Sequence, residues 1–406
     1  MGRQLVIVGA SYAGVTLAAT ARELGFDGSI VLLGDEAHMP YQRPPLSKGL
    51  LSGKADPGGM WLKSPAFFRE LEIGLRTSCR VGEIDRRAGC VVTQDHGRIA
   101  YDALALATGA RCRELQCEGA QLEGILYLRT LDDAQAMLAR MPGAERIVVI
   151  GGGFIGLEVA ASLAVLGKRV EVIEAATRPM ARVVHPVTSA FFQQLHAERG
   201  VRIHTGMRLQ GIEGRDGRVA GVALSDGRVL ECDLVVAGVG VVPNDGLAAA
   251  CGLDVDNGVV VDAHACSSDA AIVAAGDCAR YPNPWARGAV RLESVQSAND
   301  LARTAAATVC GRPAPYSAVP WFWSDQYDCK LQMAGIADGC NRYVLRGAPQ
   351  DGAFSVFCFR DEELLAVESV NRMRDHMAAR KLLAGRAALK DAWIKDSGFD
   401  LSRIAA

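Results

Sequence analysis

The strongest constraint on this chain is a glycine-rich turn that occurs twice, each time between a short apolar run and a helix-forming stretch. Residues 5–14 read LVIVGASYAG, and residues 147–156 read IVVIGGGFIG. An acidic residue follows each turn about twenty residues later, Asp35 in the first copy and Glu174 in the second. This is the beginning of a dinucleotide-binding βαβ unit, in which glycines let a pyrophosphate approach a helix N-terminus. Two copies predict two dinucleotides, a flavin and a nicotinamide that exchange electrons.

Length and composition narrow the remaining possibilities. A chain of 406 residues, 50% of them apolar, has room for two or three domains with large cores. The formal net charge of −2 gives no argument for a nucleic-acid or acidic membrane partner. The cysteines contain no C-x-x-C pair, and Cys112 and Cys117 lack the second pair of an iron–sulfur pattern. We therefore expect free thiols in a reducing cytoplasm and no metal site.

The order of strand and helix patterns predicts that the second nucleotide unit is inserted into the first. The first unit opens with strand 4–8, and it resumes with the buried strand in AAIVAAGDCA at 270–279. From about residue 317 alternating apolar and polar residues predict antiparallel strands and a third, α+β domain. The predicted fold is therefore α/β. Its first nucleotide domain comprises 1–109 and 241–316, the second nucleotide domain comprises 110–240, and the α+β domain comprises 317–406.

Six segments, in their order and spacing, resemble the ferredoxin reductases of bacterial oxygenase systems, the putidaredoxin-reductase and biphenyl-dioxygenase-reductase type. They are PYQRPPLSK at 40–48, YLRTLDDA at 127–134, IGGGFIGLEVAA at 150–161, GDCAR at 276–280, RLESVQSA at 291–298 and PWFWSDQY at 320–327. The resemblance covers almost the whole chain. It implies a glutathione-reductase-like fold with FAD, NAD and C-terminal domains. The implied activity is that of a ferredoxin–NAD+ reductase, which carries electrons from NADH through FAD to a [2Fe–2S] ferredoxin that serves a monooxygenase or dioxygenase.

The first turn and the resemblance together assign an FAD site. Asp35 is expected to accept hydrogen bonds from the adenosine ribose, and Asp277 to bind a ribityl hydroxyl. Ser11 stands where the family usually has glycine, and its small hydroxyl can bond to a phosphate oxygen. The other FAD contacts come from the first turn, from the tight ATG turn at 107–109 and from positions implied by the resemblance: Gly9, Tyr12, Ala13, Gly14, Arg43, Lys48, Val81, Ala107, Thr108, Gly109, Arg129, Val295 and Trp323.

The second turn is assigned to NAD in the same way. Glu174 is expected to bond to the adenosine 2′-hydroxyl and to repel a 2′-phosphate, which favours NADH over NADPH. Arg178 and Arg182 lie close by in sequence, so some use of NADPH stays open. The remaining NAD contacts are expected at Gly151, Gly153, Phe154, Ile155, Gly156, Glu158, Arg182 and Gly238.

The resemblance further implies that Lys48 and Glu158 form the catalytic pair. In the family the lysine approaches flavin N5 and pairs with the glutamate, and a fixed cation there tunes the ring. The alternative is an inter-domain salt bridge without a redox role. Arg303 and Trp323 resemble family positions at the ferredoxin-docking surface. Their alternatives are an ordinary surface arginine and a core or interface tryptophan.

Cysteine positions bear on the electron acceptor. Disulfide reductases and NADH peroxidases of similar fold carry redox cysteines near 41–52, whereas the first cysteine of this chain is Cys79. Electrons are therefore expected to leave from the flavin to a one-electron carrier. A rubredoxin reductase, a small-acceptor NADH reductase and an NADH-sensing flavoprotein like apoptosis-inducing factor stay as alternatives; balanced charge disfavours the last. We expect no nucleic-acid or membrane partner, and a monomer or weak dimer.

Overall fold

The computed structural model describes residues 3–404 and groups them into two compact units. Unit 1 contains the described residues up to Gln42, Met60–Arg111 and Val242–Pro320. Unit 2 contains Arg43–Gly59, Cys112–Val241 and the described residues from Trp321 onward. The outermost ends of the predicted domain segments, residues 1–2 and 405–406, lie outside the described residues. The division into four segments stays a prediction.

The strands are, in chain order, β1 (Gln4–Val8), β2 (Ser29–Leu33), β3 (Ile73–Arg76), β4 (Val81–Asp85), β5 (Cys90–Thr93), β6 (Arg98–Ala100), β7 (Ala103–Leu106), β8 (Ala110–Cys112), β9 (Ile125–Leu126), β10 (Arg146–Ile150), β11 (Arg169–Glu174), β12 (Arg202–Thr205), β13 (Leu209–Arg215), β14 (Arg218–Leu224), β15 (Val229–Glu231), β16 (Leu234–Ala237), β17 (Val241–Pro243), β18 (Val259–Val260), β19 (Ile272–Ala274), β20 (Ala279–Asn283), β21 (Gly288–Val290), β22 (Trp321–Gln326), β23 (Cys329–Gly335), β24 (Arg342–Ala348), β25 (Ala353–Arg360) and β26 (Glu363–Val370). The α-helices are α1 (Tyr12–Glu23), α2 (Pro65–Glu70), α3 (Leu131–Arg140), α4 (Phe154–Val165), α5 (Pro186–Glu198), α6 (Gly246–Ala250), α7 (Val295–Val309), α8 (Met373–Ala384) and α9 (Asp391–Lys395). Short 3₁₀ helices cover Pro44–Ser47, Pro57–Met60, Met141–Gly143, Pro349–Asp351 and Leu401–Arg403.

A five-stranded parallel sheet, in the order β19-β7-β1-β2-β3, forms the centre of unit 1. Its middle strand β1 is buried from Leu5 to Val8, as expected of a parallel strand covered on both faces. Helices α1 and α7 pack against each other, and α7 also packs against β19. Two three-stranded sheets, β4-β5-β6 and β18-β20-β21, complete the unit.

Unit 2 contains a second parallel sheet, in the order β12-β11-β10-β16-β9, with α4 packed against β10 and β11. A small antiparallel sheet, β13-β14-β15, lies in the chain between strands β12 and β16 of this parallel sheet. The C-terminal part forms an antiparallel sheet, β22-β23-β26-β25-β24, and α8 packs against β23 and β26. The predicted fold class, two Rossmann-type units plus a C-terminal α+β part, is confirmed.

Glycines lie where two strands end. The apolar stretch 234–244 forms the separate strands β16 and β17, and Gly240 between them has φ +97°. The buried strand predicted within 270–279 is β19, which ends two residues before the turn at Gly276, where φ is +84°. Residues with a side chain rarely adopt this left-handed conformation. Within the described part of the chain, no helix combines the length and apolar character that a bilayer span needs.

Candidate functional site

The first glycine turn is dictated by close backbone approach. Gly9 has φ +114°, and a Cβ there would lie 2.0 Å from the carbonyl oxygen of Ala107. A Cβ on Gly14 would lie 1.9 Å from the carbonyl oxygen of Gly9. Both positions therefore require glycine, and they hold the N-terminus of α1 against the ends of β1 and β7.

The N-terminus of α1 fits a pyrophosphate. Its first turn consists of the uncharged residues Tyr12, Ala13 and Gly14, and Ser11 precedes it in an extended conformation. Gly153 occupies the position equivalent to Ser11 in the second turn. A Cβ built there would meet no described atom within 4 Å, so the protein itself leaves space for a small side chain at such a position. Partial positive charge at a helix N-terminus favours an anion.

A second loop of unit 1 braces the predicted ATG turn. Thr108 donates its hydroxyl to the carbonyl of Asn244 at 2.6 Å, and the Asn244 amide donates back to the carbonyl of Thr108 at 2.9 Å. The Asn244 backbone N–H also donates to the carbonyl of Gly109. Asn244 was not among the residues predicted for the site. The residue ends the apolar stretch 234–244, and this position was the only local signal for it.

The two acidic residues expected at the FAD site differ in exposure. Asp35 is exposed just beyond the end of β2, whereas Asp277 is half-buried just after Gly276. Arg291 donates to the backbone carbonyl of Asp277 at 3.1 Å and pairs with Glu293 at 2.8 Å. Arg291 thus holds the backbone of the turn that carries Asp277, a role not predicted from the sequence although Arg291 begins the RLESVQSA segment. An exposed carboxylate and a half-buried one beside the turn fit the ribose and ribityl hydroxyls of a dinucleotide.

Two further predicted FAD contacts lie at the starts of elements in unit 1. Val81 is buried at the first position of β4. Val295 is the first residue of α7, whose N-cap Ser294 accepts a hydrogen bond from the backbone N–H of Ser297 at 3.0 Å.

The second turn in unit 2 repeats the geometry of the first. Gly151 has φ +107°, and a Cβ there would lie 2.3 Å from the carbonyl oxygen of Gly238. A Cβ on Gly156 would lie 2.0 Å from the carbonyl oxygen of Gly151. Of the two residues that begin α4, Ile155 is 47% exposed and Phe154 contacts the ring of Phe322 at 4.6 Å between centroids.

Glu174 is held rigidly beside the second turn. It ends β11, and its two carboxylate oxygens accept hydrogen bonds from the backbone N–H groups of Gly152 at 2.8 Å and Ala176 at 2.7 Å. Arg178 donates to the carbonyls of Ala181 and Val184, which ties the following loop together. Arg182 is exposed in that loop. An acid fixed at this place in a βαβ unit fits the adenosine ribose of NAD.

Lys48 and Glu158 form the predicted ion pair. The Lys48 Nζ lies 3.0 Å from Glu158 Oε1; the lysine side chain is 20% exposed and the glutamate 2%. Lys48 directly follows the 3₁₀ turn at Pro44–Ser47, where two prolines limit the backbone freedom of the loop. Glu158 points from the first half of α4. The pair joins residues 110 positions apart by sequence number, so only tertiary packing creates it.

Two serine hydroxyls complete the surroundings of Glu158. Ser47 donates to Oε2 at 2.6 Å, and Ser324 donates to Oε1 at 2.7 Å. Ser162 in turn donates to the backbone carbonyl of Ser47 at 2.7 Å. Burial raises the pKa of Glu158, and the charge of Lys48 and the two hydroxyls oppose that shift. Neither serine was predicted as a site residue, although Ser47 lies next to Lys48 and Ser324 lies within PWFWSDQY.

The remaining predicted residues lie in different local settings. Arg43 donates to the backbone carbonyl of Arg129 at 2.7 Å, just before the capping box of α3. Trp323 lies on β22, with its ring centroid 5.6 Å from that of Trp321. Arg303 is exposed on α7 and pairs with Asp300. The cysteines, all within the described residues, are free.

The predicted site residues are distributed over both units. Unit 1 holds Gly9, Ser11, Tyr12, Ala13, Gly14, Asp35, Val81, Ala107, Thr108, Gly109, Asp277, Val295 and Arg303. Unit 2 holds Arg43, Lys48, Arg129, Gly151, Gly153, Phe154, Ile155, Gly156, Glu158, Glu174, Arg182, Gly238 and Trp323.

Comparisons with known proteins agree along nearly the whole chain. Residues 3–302 match the family described as pyridine nucleotide-disulphide oxidoreductase, and residues 321–405 match the reductase C-terminal domain. Rhodocoxin reductase from Rhodococcus erythropolis is 48% identical over 402 residues, which cover 99% of this chain and 94% of that protein.

Two solved structures are similar over at least 98% of each chain. The ferredoxin reductase for the CYP199A2 system from Rhodopseudomonas palustris has a TM-score of 0.97 and 43% identity, with 100% of both chains covered. The reductase in the covalent putidaredoxin reductase–putidaredoxin complex has a TM-score of 0.94 and 39% identity, with 99% of this chain and 98% of that chain covered.

Proposed function

Because the chain belongs to the pyridine nucleotide-disulphide oxidoreductase family, with a reductase C-terminal domain, we propose that it is an NADH-dependent flavoprotein that reduces a ferredoxin serving an oxygenase. The observation that carries the proposal is the pair of nucleotide turns, each with its own acid, in a chain similar throughout to reductases of oxygenase systems. FAD and NAD are its cofactors.

FAD supplies the step from two-electron to one-electron transfer, because a flavin accepts a hydride and releases single electrons. In unit 1, the N-terminus of α1 behind Ser11 would bind the pyrophosphate. Asp35 would accept hydrogen bonds from the ribose, and Asp277 would bind the ribityl chain. Arg291 and Asn244 would hold the backbone of these loops in place.

In unit 2, the second turn would bind NADH with Glu174 on the adenosine 2′-hydroxyl. A carboxylate at this position repels a 2′-phosphate, which supports NADH over NADPH. Lys48 would supply the fixed cation near the flavin ring, and Glu158 would hold that cation in place. The low exposure of both side chains supports a fixed position for the pair, since a buried ion pair is screened less by water.

We further propose that the ferredoxin is of the [2Fe–2S] type and that Arg303 and Trp323 take part in docking. One relative was crystallised covalently joined to putidaredoxin, which supports a ferredoxin partner. The exposure of Arg303 supports its part, because an exposed cation steers an acidic carrier. The cytoplasmic location and the monomer or weak dimer stay predictions from the sequence.

Reconstitution tests the proposed function. The purified protein is expected to be yellow with one non-covalent FAD per chain, and NADH should reduce a [2Fe–2S] ferredoxin from its own organism. A rubredoxin and a small quinone serve as alternative acceptors. Folded protein that takes up no flavin would refute the cofactor assignment. Rapid reduction of rubredoxin or quinone without any reduction of ferredoxin would replace the acceptor by the corresponding alternative.

A further inference from the structure

A chain of hydrogen-bonded side chains leads from Glu158 to a half-buried tyrosine, entirely within unit 2. Ser324 Oγ lies 2.7 Å from Glu158 Oε1, and Gln326 Nε2 lies 3.3 Å from Ser324 Oγ. Gln326 Oε1 lies 2.8 Å from His196 Nε2, and His196 Nδ1 lies 3.0 Å from the Tyr327 hydroxyl. Ser324, Gln326 and His196 are each fully buried. The role assigned so far to Glu158 does not use this chain.

Strand periodicity explains how the chain arises. Side chains two residues apart on β22 share a face. Phe322, Ser324 and Gln326 therefore point the same way: Phe322 contacts Phe154 and Ser324 bonds to Glu158, both on α4, while Gln326 reaches His196 on α5. One face of one strand thus links two helices of the nucleotide-binding part of unit 2.

The chemistry of each group sets the direction of the chain. An amide oxygen only accepts and an amide nitrogen only donates. With Gln326 Oε1 facing His196, the histidine carries its proton on Nε2 and accepts the Tyr327 hydroxyl at Nδ1. Gln326 Nε2 donates to Ser324, so the hydroxyl hydrogen of Ser324 is directed at Glu158. The reverse orientation would place a serine lone pair against a carboxylate oxygen 2.7 Å away.

The histidine has the charge state that this direction requires. Burial lowers the pKa of His196 to about 4, so its imidazole is neutral near pH 7 and one ring nitrogen is left to accept. At the outer end, Arg199 lies over the Tyr327 ring at 5.2 Å and pairs with Asp328. Every donor along the chain therefore points towards Glu158, the arrangement that favours an ionised carboxylate.

We propose that Ser324, Gln326 and His196 are positioning residues that hold Glu158 ionised and thereby hold Lys48 in place. The inference rests on the role proposed for Lys48 and Glu158. Lys48 is the charged group that faces Glu158 among the described residues, with Ser47 from the 3₁₀ turn and Ser324 from β22. The chain is not a proton relay, because the Gln326 amide passes no proton along in its ordinary tautomer.

The protonation of His196 is the first test, and it does not depend on turnover. The holoprotein is labelled with ¹⁵N-histidine, and His196→Gln identifies the resonances of His196. We expect protonation at Nε2 alone, and Tyr327→Phe should shift the Nδ1 resonance. A proton on Nδ1, or on both ring nitrogens at pH 7, would reverse the chain and overturn the proposal.

The pH profile of flavin reduction by NADH is the second test. Loss of the Ser324 donor in Ser324→Ala should raise the pKa of Glu158 and move the acid limb of the profile upward by about one pH unit. Gln326→Met should move it the same way by less. His196→Leu should also move the acid limb upward. His376→Leu is the control, because His376 is a second buried histidine of unit 2 outside the chain, and this variant should leave the acid limb in place.

The outcomes separate the inference from the function on which it rests. If Lys48→Ala slows flavin reduction but Ser324→Ala and Gln326→Met leave the acid limb unchanged, the positioning role is wrong and the pair keeps its function. If Lys48→Ala leaves flavin reduction unchanged with FAD retained, the proposed role of the pair is itself wrong. His196→Gln, which can still donate to Gln326, keeps the comparison valid should His196→Leu fail to fold.

Discussion

Replacing Lys48 with methionine should destabilise the protein in a pH-dependent way while also slowing flavin reduction. Methionine keeps much of the length of the side chain and removes the charge, which leaves Glu158 with the hydroxyls of Ser47 and Ser324. Breaking a buried ion pair by removing one partner costs about 3–5 kcal/mol. Lys48 is still 20% exposed, so we expect the lower end of that range, about 3 kcal/mol.

The sign of the pH dependence follows from the buried carboxyl. Without Lys48, burial holds the pKa of Glu158 in the folded state above its unfolded value of about 4.3. The folded variant then keeps a proton that the unfolded chain releases. The free energy of unfolding of the variant is therefore greatest below the pKa of Glu158 in the unfolded chain. It falls by up to about 1.4 kcal/mol per pH unit as the pH rises towards the pKa of Glu158 in the folded state. The loss relative to wild type should therefore be larger at pH 8 than at pH 5.

Thermal unfolding with saturating FAD at several pH values measures the effect, and stopped-flow absorbance measures flavin reduction by NADH. Lys54→Met is the matched control, because Lys54 is exposed in the same segment of unit 2. The double variant Lys48→Met/Glu158→Gln should recover most of the lost stability but not the reduction rate. Wild-type stability of Lys48→Met at every pH, or an unchanged reduction rate, would refute the reasoning.

Three further predictions test separate parts of the assignment. Glu174→Ala should lower the ratio of kcat/KM for NADH to that for NADPH by about tenfold, roughly 1.4 kcal/mol; a wild-type preference for NADPH would contradict the role of Glu174. Gly153→Ala should leave Tm unchanged, because its Cβ meets no described atom within 4 Å, whereas Gly156→Ala should lower Tm, because its Cβ would lie 2.0 Å from a carbonyl oxygen; equal Tm values for the two variants would rule out this explanation. Arg303→Glu should raise the KM for ferredoxin and reduce the salt dependence, with ferricyanide reduction near normal; an equal fall in ferricyanide reduction would assign Arg303 to the fold or the flavin instead.

Patterns within short segments account for what could be predicted about the fold. The turn at Gly9 and the turn at Gly151 each depend on spacings of a few residues, so the two nucleotide units could be recognised from sequence. The C-terminal antiparallel sheet followed from alternation in the same way. Strand ends were less predictable. β16 ends before Gly240, whose left-handed backbone conformation cannot be deduced from an apolar stretch.

The ion pair could not be predicted from the residues themselves. Only the resemblance to the reductase family implied that Lys48 and Glu158 pair, because no sequence pattern links two residues so far apart in the chain. The assignment of ligands to individual site residues stays a prediction, although the structure places Glu174 at the end of β11 and Asp277 in the turn after β19.

The sequence alone determined the two βαβ units of a dinucleotide-binding fold, because glycine spacing and a following acid are properties of one short segment. Only the tertiary structure decided how Glu158 is surrounded. Its partners come from the 3₁₀ turn at Pro44–Ser47, from β22 and, through Gln326, from α5. A buried carboxylate needs several donors, and elements far apart in the chain can supply them only after they have packed together.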